Sequence, residues 1–272
     1  METFDAKSDA YKRRSVRDLL SLHGKTIVVT GGGRGLGLAF ARGCAEVGAN
    51  IAILDLHIAP EEDLDSLSSQ LGVKAEYFRV DITDHQGLKD VFDSIKQNFG
   101  SIDGLINAAG VAIARSFLEH SLDEIQKTLG VNVIGTMTAT QLAVRQMIAQ
   151  QTGGSIVNIA SIAGHKSMKG QENVAAYSAS KAAVLGFTRA IAVELASKNI
   201  RVNSISPGYF LTEMSPGYAE KNWDKLRGFE VTVPMGRFAD RGELKSLAAF
   251  LMSPAASYMT GEDIVVDGGI LA

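Results

Sequence analysis

A chain of 272 residues with 46% hydrophobic and 21% charged side chains has an ordinary globular composition and is long enough for a single α/β core. A formal net charge of −3, with no basic block beyond the first residues, argues against a nucleic-acid partner. The single cysteine, Cys44, excludes an internal disulfide, and no Cys/His spacing suits zinc, so no metal is expected. No apolar run reaches membrane-span length, and the opening residues, with Glu2, Asp5 and Asp9, lack an apolar leader core. A cytoplasmic protein without a membrane partner is the expectation.

Residues 1–23 are polar, carry Lys12, Arg13, Arg14 and Arg17, and read as a flexible arm. Residues 24–272 read as one domain, since no Pro/Gly/Ser-rich linker or internal repeat divides them. Short Val/Ile-rich runs predict strands at 26–30, 50–55, 75–80, 102–106, 155–161, 201–206 and 263–266. Helical periods predict helices at 35–47, 60–71, 86–98, 122–149, 175–197 and 241–252. In the first of these, Leu36, Ala39, Phe40, Gly43, Cys44 and Val47 repeat at helical spacing, which places Cys44 in the core. Strands alternating with helices predict an α/β fold: a single doubly wound Rossmann-type parallel sheet with helices on both faces.

The first strand runs into Thr30-Gly31-Gly32-Gly33-Arg34-Gly35-Leu36-Gly37 and then a helix. Glycines permit the tight turn and the close approach of a ligand. The helix amino terminus offers unpaired N–H groups and a positive dipole end to a pyrophosphate. Asp55 ends the second strand, where an acid accepts hydrogen bonds from adenosine ribose hydroxyls. A 2′-phosphate there would meet a repulsion of several kcal/mol at an effective dielectric near ~20. NAD is therefore the expected cofactor, with NADP(H) the alternative that the Arg34 guanidinium allows.

Tyr177 and Lys181 stand four residues apart in the helix expected at 175–197, so both project from one face. A free tyrosine has a pKa near ~10, and bringing it to about 7 needs roughly 4 kcal/mol of preference for the phenolate. One cation at about 4 Å supplies that much at an effective dielectric near 20. The pair is thus a candidate acid/base unit.

The glycine loop, Asn107-Ala108-Ala109-Gly110 after a strand, Asn132 in a long helix, Ser161 at a strand end and Tyr177 with Lys181 together resemble the short-chain dehydrogenase/reductase family. Pro207-Gly208 with Phe210 and Thr212, and the terminal Thr260-Gly261 and Val266-Asp267-Gly268-Gly269, match it too. The resemblance runs from about Gly24 to the end. It implies that Tyr177 is the acid or base at the substrate oxygen, that Lys181 lowers its pKa and holds the nicotinamide ribose, that Ser161 polarises the substrate oxygen, and that Asn132 fixes a water beside Lys181. It further implies that Gly31, Gly33, Gly35, Leu36 and Gly37 hold the pyrophosphate, that Arg34 stands beside the adenosine ribose, and that Asp81 and Ile82 meet the adenine. Asn107, Ala108, Ala109 and Gly110 support the cofactor, and Pro207, Gly208, Phe210 and Thr212 line the nicotinamide. Asp81 could alternatively cap the following turn.

Ser161-Ile162-Ala163-Gly164-His165 resembles the fungal polyol dehydrogenase/ketose reductase branch. The stretch 164–173 is longer than is usual in the family and is expected to border the active-site mouth. His165 and Asn173 are candidate substrate contacts there, and 212–229, with Trp223, is a candidate lid. The expected function is hydride transfer between nicotinamide and a secondary alcohol or ketone, either a polyol/ketose or a secondary-metabolite ketone. A 3-oxoacyl reductase, for which Lys166 and Lys169 offer a weak docking patch, is one alternative; a non-catalytic dinucleotide sensor is another. The alanine-rich long helices, with Ala139, Ala143, Ala182, Ala183 and Ala190, suit close packing between subunits, and a homotetramer is expected.

Overall fold

A computed structural model describes residues 12–167, 173–211 and 230–272. The chain begins with α1 (Val16–Leu20), whose N-cap Ser15 forms a capping box with Asp18. It continues through β1 (Thr26–Thr30), α2 (Gly35–Glu46), β2 (Asn50–Asp55), α3 (Leu64–Leu71), β3 (Ala75–Arg79) and α4 (His85–Phe99). Next come β4 (Gly104–Asn107), α5 (Leu122–Leu129), α6 (Thr136–Gln150), β5 (Gly154–Ile159), α7 (Ala175–Leu195) and β6 (Ile200–Pro207). The described residues close with β7 (Phe210–Leu211), β8 (Ala239–Asp240), α8 (Lys245–Met252) and β9 (Asp263–Val266).

Seven strands form one sheet in the order β3-β2-β1-β4-β5-β6-β9, with every neighbouring pair parallel. The expected Rossmann-type architecture is therefore present. Alternation along β1 sets the two cores: Ile27 and Val29 face α2 and α8, whereas Val28 faces α4 and α6, because successive strand side chains point to opposite faces. Cys44 is fully buried in the first core, and burial pushes its thiol up to about 12. The order reverses at β1, where β2 lies on one side and β4 on the other, and a crevice opens there beyond the strand ends.

Several boundaries differ from expectation, for local reasons. Within the stretch read as an arm, α1 forms, and Leu22 is buried with its N–H bound to Val47 O. The helix expected from 60 begins at Leu64 because Asp63 accepts the N–H of Asp65 as its cap. The single helix expected at 122–149 is interrupted by a π-helical turn, Gly130–Gly135, between α5 and α6. Two of the six residues in that turn are glycines, which weaken the regular helix there, and such turns recur at functional positions. β5 stops at Ile159, which leaves Ala160 and Ser161 to turn out of the sheet. The small β7–β8 pair carries no apolar alternation that would have marked it.

Candidate functional site

The crevice is a cleft of 680 Å³, and its floor is the glycine loop. Gly31 has φ +63, and a Cβ on it would lie 2.6 Å from the Cα of Ala109, so only glycine lets β1 and β4 end this close together. A Cβ on Gly37 would fall onto the Gly31 carbonyl oxygen, so α2 starts directly on the loop. α2 has no acidic side chain in its first turn, which leaves its positive end open to an anion. These features fit a pyrophosphate.

At the far end of the cleft stands Asp55, 8% exposed. One carboxylate oxygen accepts the Gly33 N–H at 3.0 Å and the other the His57 N–H at 3.1 Å. The acid is thereby fixed to the glycine loop, and Gly33 itself lies beneath it rather than in the lining. Asp81 lines the cleft, and one of its oxygens also accepts both the Thr83 N–H at 2.8 Å and the Thr83 hydroxyl at 2.7 Å. The turn-capping alternative for Asp81 thus coexists with a place in the wall.

Of the remaining expected residues, Arg34, Gly35, Leu36, Ile82, Ala108, Ala109, Gly110, Pro207, Gly208 and Phe210 line the same cleft. Asn107 does not. It is buried under the floor and donates to Thr140 Oγ1 at 2.9 Å and Asn158 Oδ1 at 2.8 Å, which ties β4 to α6 and β5. Thr212, Lys169 and the expected lid fall outside the described residues.

Ser161, Tyr177 and Lys181 line this cleft together. Ser161 caps the 3-10 turn Ile162–Gly164, its Oγ accepting the Ala163 N–H at 3.1 Å. Burial pushes the Tyr177 phenol above its ordinary value, and the neighbouring Ser161 hydroxyl offsets this only in part. Burial also pushes Lys181 down to about 8. The ammonium lies 5.6 Å from the Tyr177 ring centroid and donates to Ile159 O at 2.7 Å. The shift of the tyrosine in this structure is upward, opposite to the lowering expected from a close cation. Loss of hydration is its largest cause, and the lysine is turned toward a carbonyl at the end of β5.

Asn132 sits on the π turn, 1% exposed, and does not line the cleft. Its amide donates to Val111 O at 3.0 Å and Ser180 Oγ at 2.9 Å, and its oxygen accepts the Val111 N–H at 2.8 Å. Both amide protons are committed, and the side chain anchors the loop after Gly110. Its main-chain oxygen accepts the Thr136 hydroxyl.

Ser180, fully buried, was missed from sequence. It accepts from Asn132 and donates to Tyr177 O at 2.6 Å, a role that no local pattern in an alanine/serine-rich helix announces. Asn173, at φ +70, shapes the entry to α7 through its carbonyl, which accepts the Arg115 N–H. His165 is outside the cleft lining and bonds elsewhere. Among the described residues, no three His, Cys, Asp or Glu side chains are grouped to hold a metal ion, and no helix is long and apolar enough to cross a membrane.

The parallel sheet and the cleft at its switch point define a Rossmann-class protein with a hydroxyl pair and an ammonium at one end. Residues 31–271 match a family model described as Enoyl-(Acyl carrier protein) reductase. The NADP-dependent mannitol dehydrogenase of Hypocrea jecorina is 37% identical over 256 residues, 93% of this chain and 94% of that protein. The 3-oxoacyl-[acyl-carrier-protein] reductase of Aquifex aeolicus is 35% identical over 92% of this chain and 99% of its own length. The crystal structure of the NADPH-dependent 3-quinuclidinone reductase of Rhodotorula rubra superposes with a TM-score of 0.87 at 33% identity, covering 95% of each chain. The chain belongs to the short-chain dehydrogenase/reductase family, and it is an oxidoreductase of CH–OH groups that uses a nicotinamide cofactor.

Proposed function

We propose that the protein transfers a hydride between NAD(H) and a polyol or its ketose, with Tyr177 as the acid/base residue. The observation that carries this reading is the convergence of Ser161, Tyr177 and Lys181 in the cleft floored by the glycine loop. The nicotinamide supplies or takes up the hydride when bound. In reduction, Tyr177, kept protonated by its raised pKa, donates its proton to the carbonyl oxygen while Ser161 hydrogen-bonds to that oxygen. Lys181 and Gly110 border the space beside it: a Cβ on Gly110 would lie 3.5 Å from the Lys181 ammonium. In oxidation the proton travels the opposite way.

The polyol assignment rests on the Hypocrea relative, which is named for mannitol. The NAD(H) preference rests on Asp55, whose buried carboxylate lines the cleft at the end of β2 and would repel a 2′-phosphate brought beside it. A 3-oxoacyl thioester is the second reading, supported by the Aquifex relative and by the exposed cation of Lys166 five residues after Ser161. For assembly, we propose a homotetramer. Ala139 and Ala143 are not available to it, because both are fully buried against the protomer's own sheet. Ala182, Ala183 and Ala190 are exposed on α7.

The test follows the absorbance of reduced nicotinamide with NADH and NADPH against ketoses, simple ketones and a 3-oxoacyl thioester. Turnover of ketoses with NADH is expected. A preference for NADPH above about tenfold, or 1.4 kcal/mol, overturns the Asp55 assignment. Faster thioester turnover selects the second reading, and NADH binding without turnover of any substrate favours a sensor.

A further inference from the structure

Ser161 works only if the turn that carries it is held still, and that turn has little secondary structure to hold it. Two contacts clamp it from opposite sides. On one side, a Cβ on Gly164 would lie within 2.8–3.0 Å of the main chain of Lys181 and Ala182, so the turn is seated directly on α7. On the other side, His165 Nε2 lies 2.8 Å from Asp263 Oδ2 and 3.1 Å from Ser206 Oγ. Asp263 is itself fixed, for its second oxygen accepts the Ser204 hydroxyl at 2.6 Å and the Ser206 hydroxyl at 2.9 Å. Ser204 and Asp263 are paired across β6 and β9. Ser206 directly precedes Pro207 and Gly208 in the cleft lining. The cluster thus joins the serine turn, the strand that ends at the nicotinamide and the edge strand.

We propose that His165 is a positioning residue for Ser161, acting as a clasp onto Asp263 and Ser206 rather than as a substrate contact. This rests on the reading of Ser161 given above. Asp263 accepts hydrogen bonds only, so Nε2 carries the proton in this bond. The side chains are 31% and 12% exposed for His165 and Asp263, so water competes little for the acid. Loss of the clasp removes the turn's side-chain tie to β6 and β9. It leaves the turn held by α7, the Ala160 N–H bond to Ile205 O and its own buried Ile162 and Ala163, and Ser161 is then less firmly set against Tyr177.

The test compares His165→Ala, His165→Gln and Ser161→Ala with the wild-type protein. It uses butane-2,3-dione and D-fructose with NADH, together with amide hydrogen exchange over 161–166. His165→Ala is expected to fold, to bind NADH with an unchanged Kd and to lose about tenfold or more in kcat, as a small misplacement of a reacting group does. The Ala163 amide, bound to Ser161 Oγ, is expected to exchange about tenfold faster, because its protection tracks local opening. His165→Gln, whose amide retains a donor, is expected to recover most of both. Unchanged exchange and kcat in a folded His165→Ala overturns the clasp, as does a lowered Tm with kcat intact, or a variant that fails to fold. If Ser161→Ala keeps its turnover, the Ser161 assignment fails instead, whereas loss in Ser161→Ala alongside an intact His165→Ala sinks only the clasp.

Discussion

At the residue scale, a half-buried phenol and a buried amine lie side by side and are shifted in opposite directions, Tyr177 up and Lys181 down to about 8. Both shifts favour the neutral form. Tyr177→Phe removes the transferable proton and little volume, so cofactor Kd is expected to stay unchanged while turnover falls by roughly 10²-fold or more. Near-normal turnover in that variant would remove Tyr177 from the chemistry. Lys181 gives a stability prediction. Its folded pKa is depressed, so between pH 8 and 10.5 the unfolded chain binds the extra proton, and by linkage this residue's contribution rises with pH. Tyr177 and Tyr77, the latter pushed up to about 12 by burial and the nearby Asp55 charge, act oppositely. They hold their protons when folded and therefore cost stability above pH 10. Comparison with Lys181→Met isolates the lysine. The stability advantage of Lys181→Met over wild type in urea melts is expected to shrink from pH 7 to pH 10, by up to about 3 kcal/mol. A difference that stays flat with pH shows that the lysine is not desolvated.

At the element scale, the glycine loop and the first turn of α2 act as one piece. Gly37→Ala drives a methyl group onto the Gly31 carbonyl, so the helix start must move off the loop. NADH affinity is expected to fall by more than about tenfold, since the anion-binding N–H groups shift with it. Ser121→Ala is the contrast. Ser121 caps α5 through a capping box with Glu124, and its loss is expected to cost about 1 kcal/mol of stability with NADH affinity unchanged. Isothermal titration and urea melts separate the two, and a Gly37→Ala protein with wild-type NADH affinity would show that the loop tolerates the methyl. The same elements show what sequence could and could not reveal. Strands and long helices were legible because hydrophobic period depends only on neighbours along the chain. The π turn was not, because Asn132 is drawn inward by Val111 and Ser180, 21 and 48 positions away. Lys181 was likewise read as a partner of Tyr177 from helix spacing alone, whereas the carbonyl that holds it belongs to β5.

At the scale of the whole molecule, α6 and α7 present apolar and small residues at the surface. Ile134, Met137 and Ile148 are 51%, 39% and 44% exposed, and Val193 is 82% exposed. The first three repeat at helical spacing along the π turn and α6. Ala182, Gly186, Ala190 and Val193 repeat along α7, and a Cβ on Gly186 would meet nothing within 4 Å. A flat, small-residue stripe beside an apolar one lets two copies of the same helices approach across a two-fold axis. Each Val193 buried in that way contributes about 1.5–3 kcal/mol, and the symmetry applies every substitution twice. Gly186→Arg with Val193→Asp is therefore expected to leave the protomer folded, because neither side chain packs inside it, while lowering the sedimenting mass from a tetramer to a smaller species. Sedimentation equilibrium at micromolar concentration reads this directly, with far-ultraviolet circular dichroism as the check on folding. A wild-type protein that sediments as a monomer, or a double variant that stays tetrameric, removes these helices from the assembly and leaves their apolar faces to another partner.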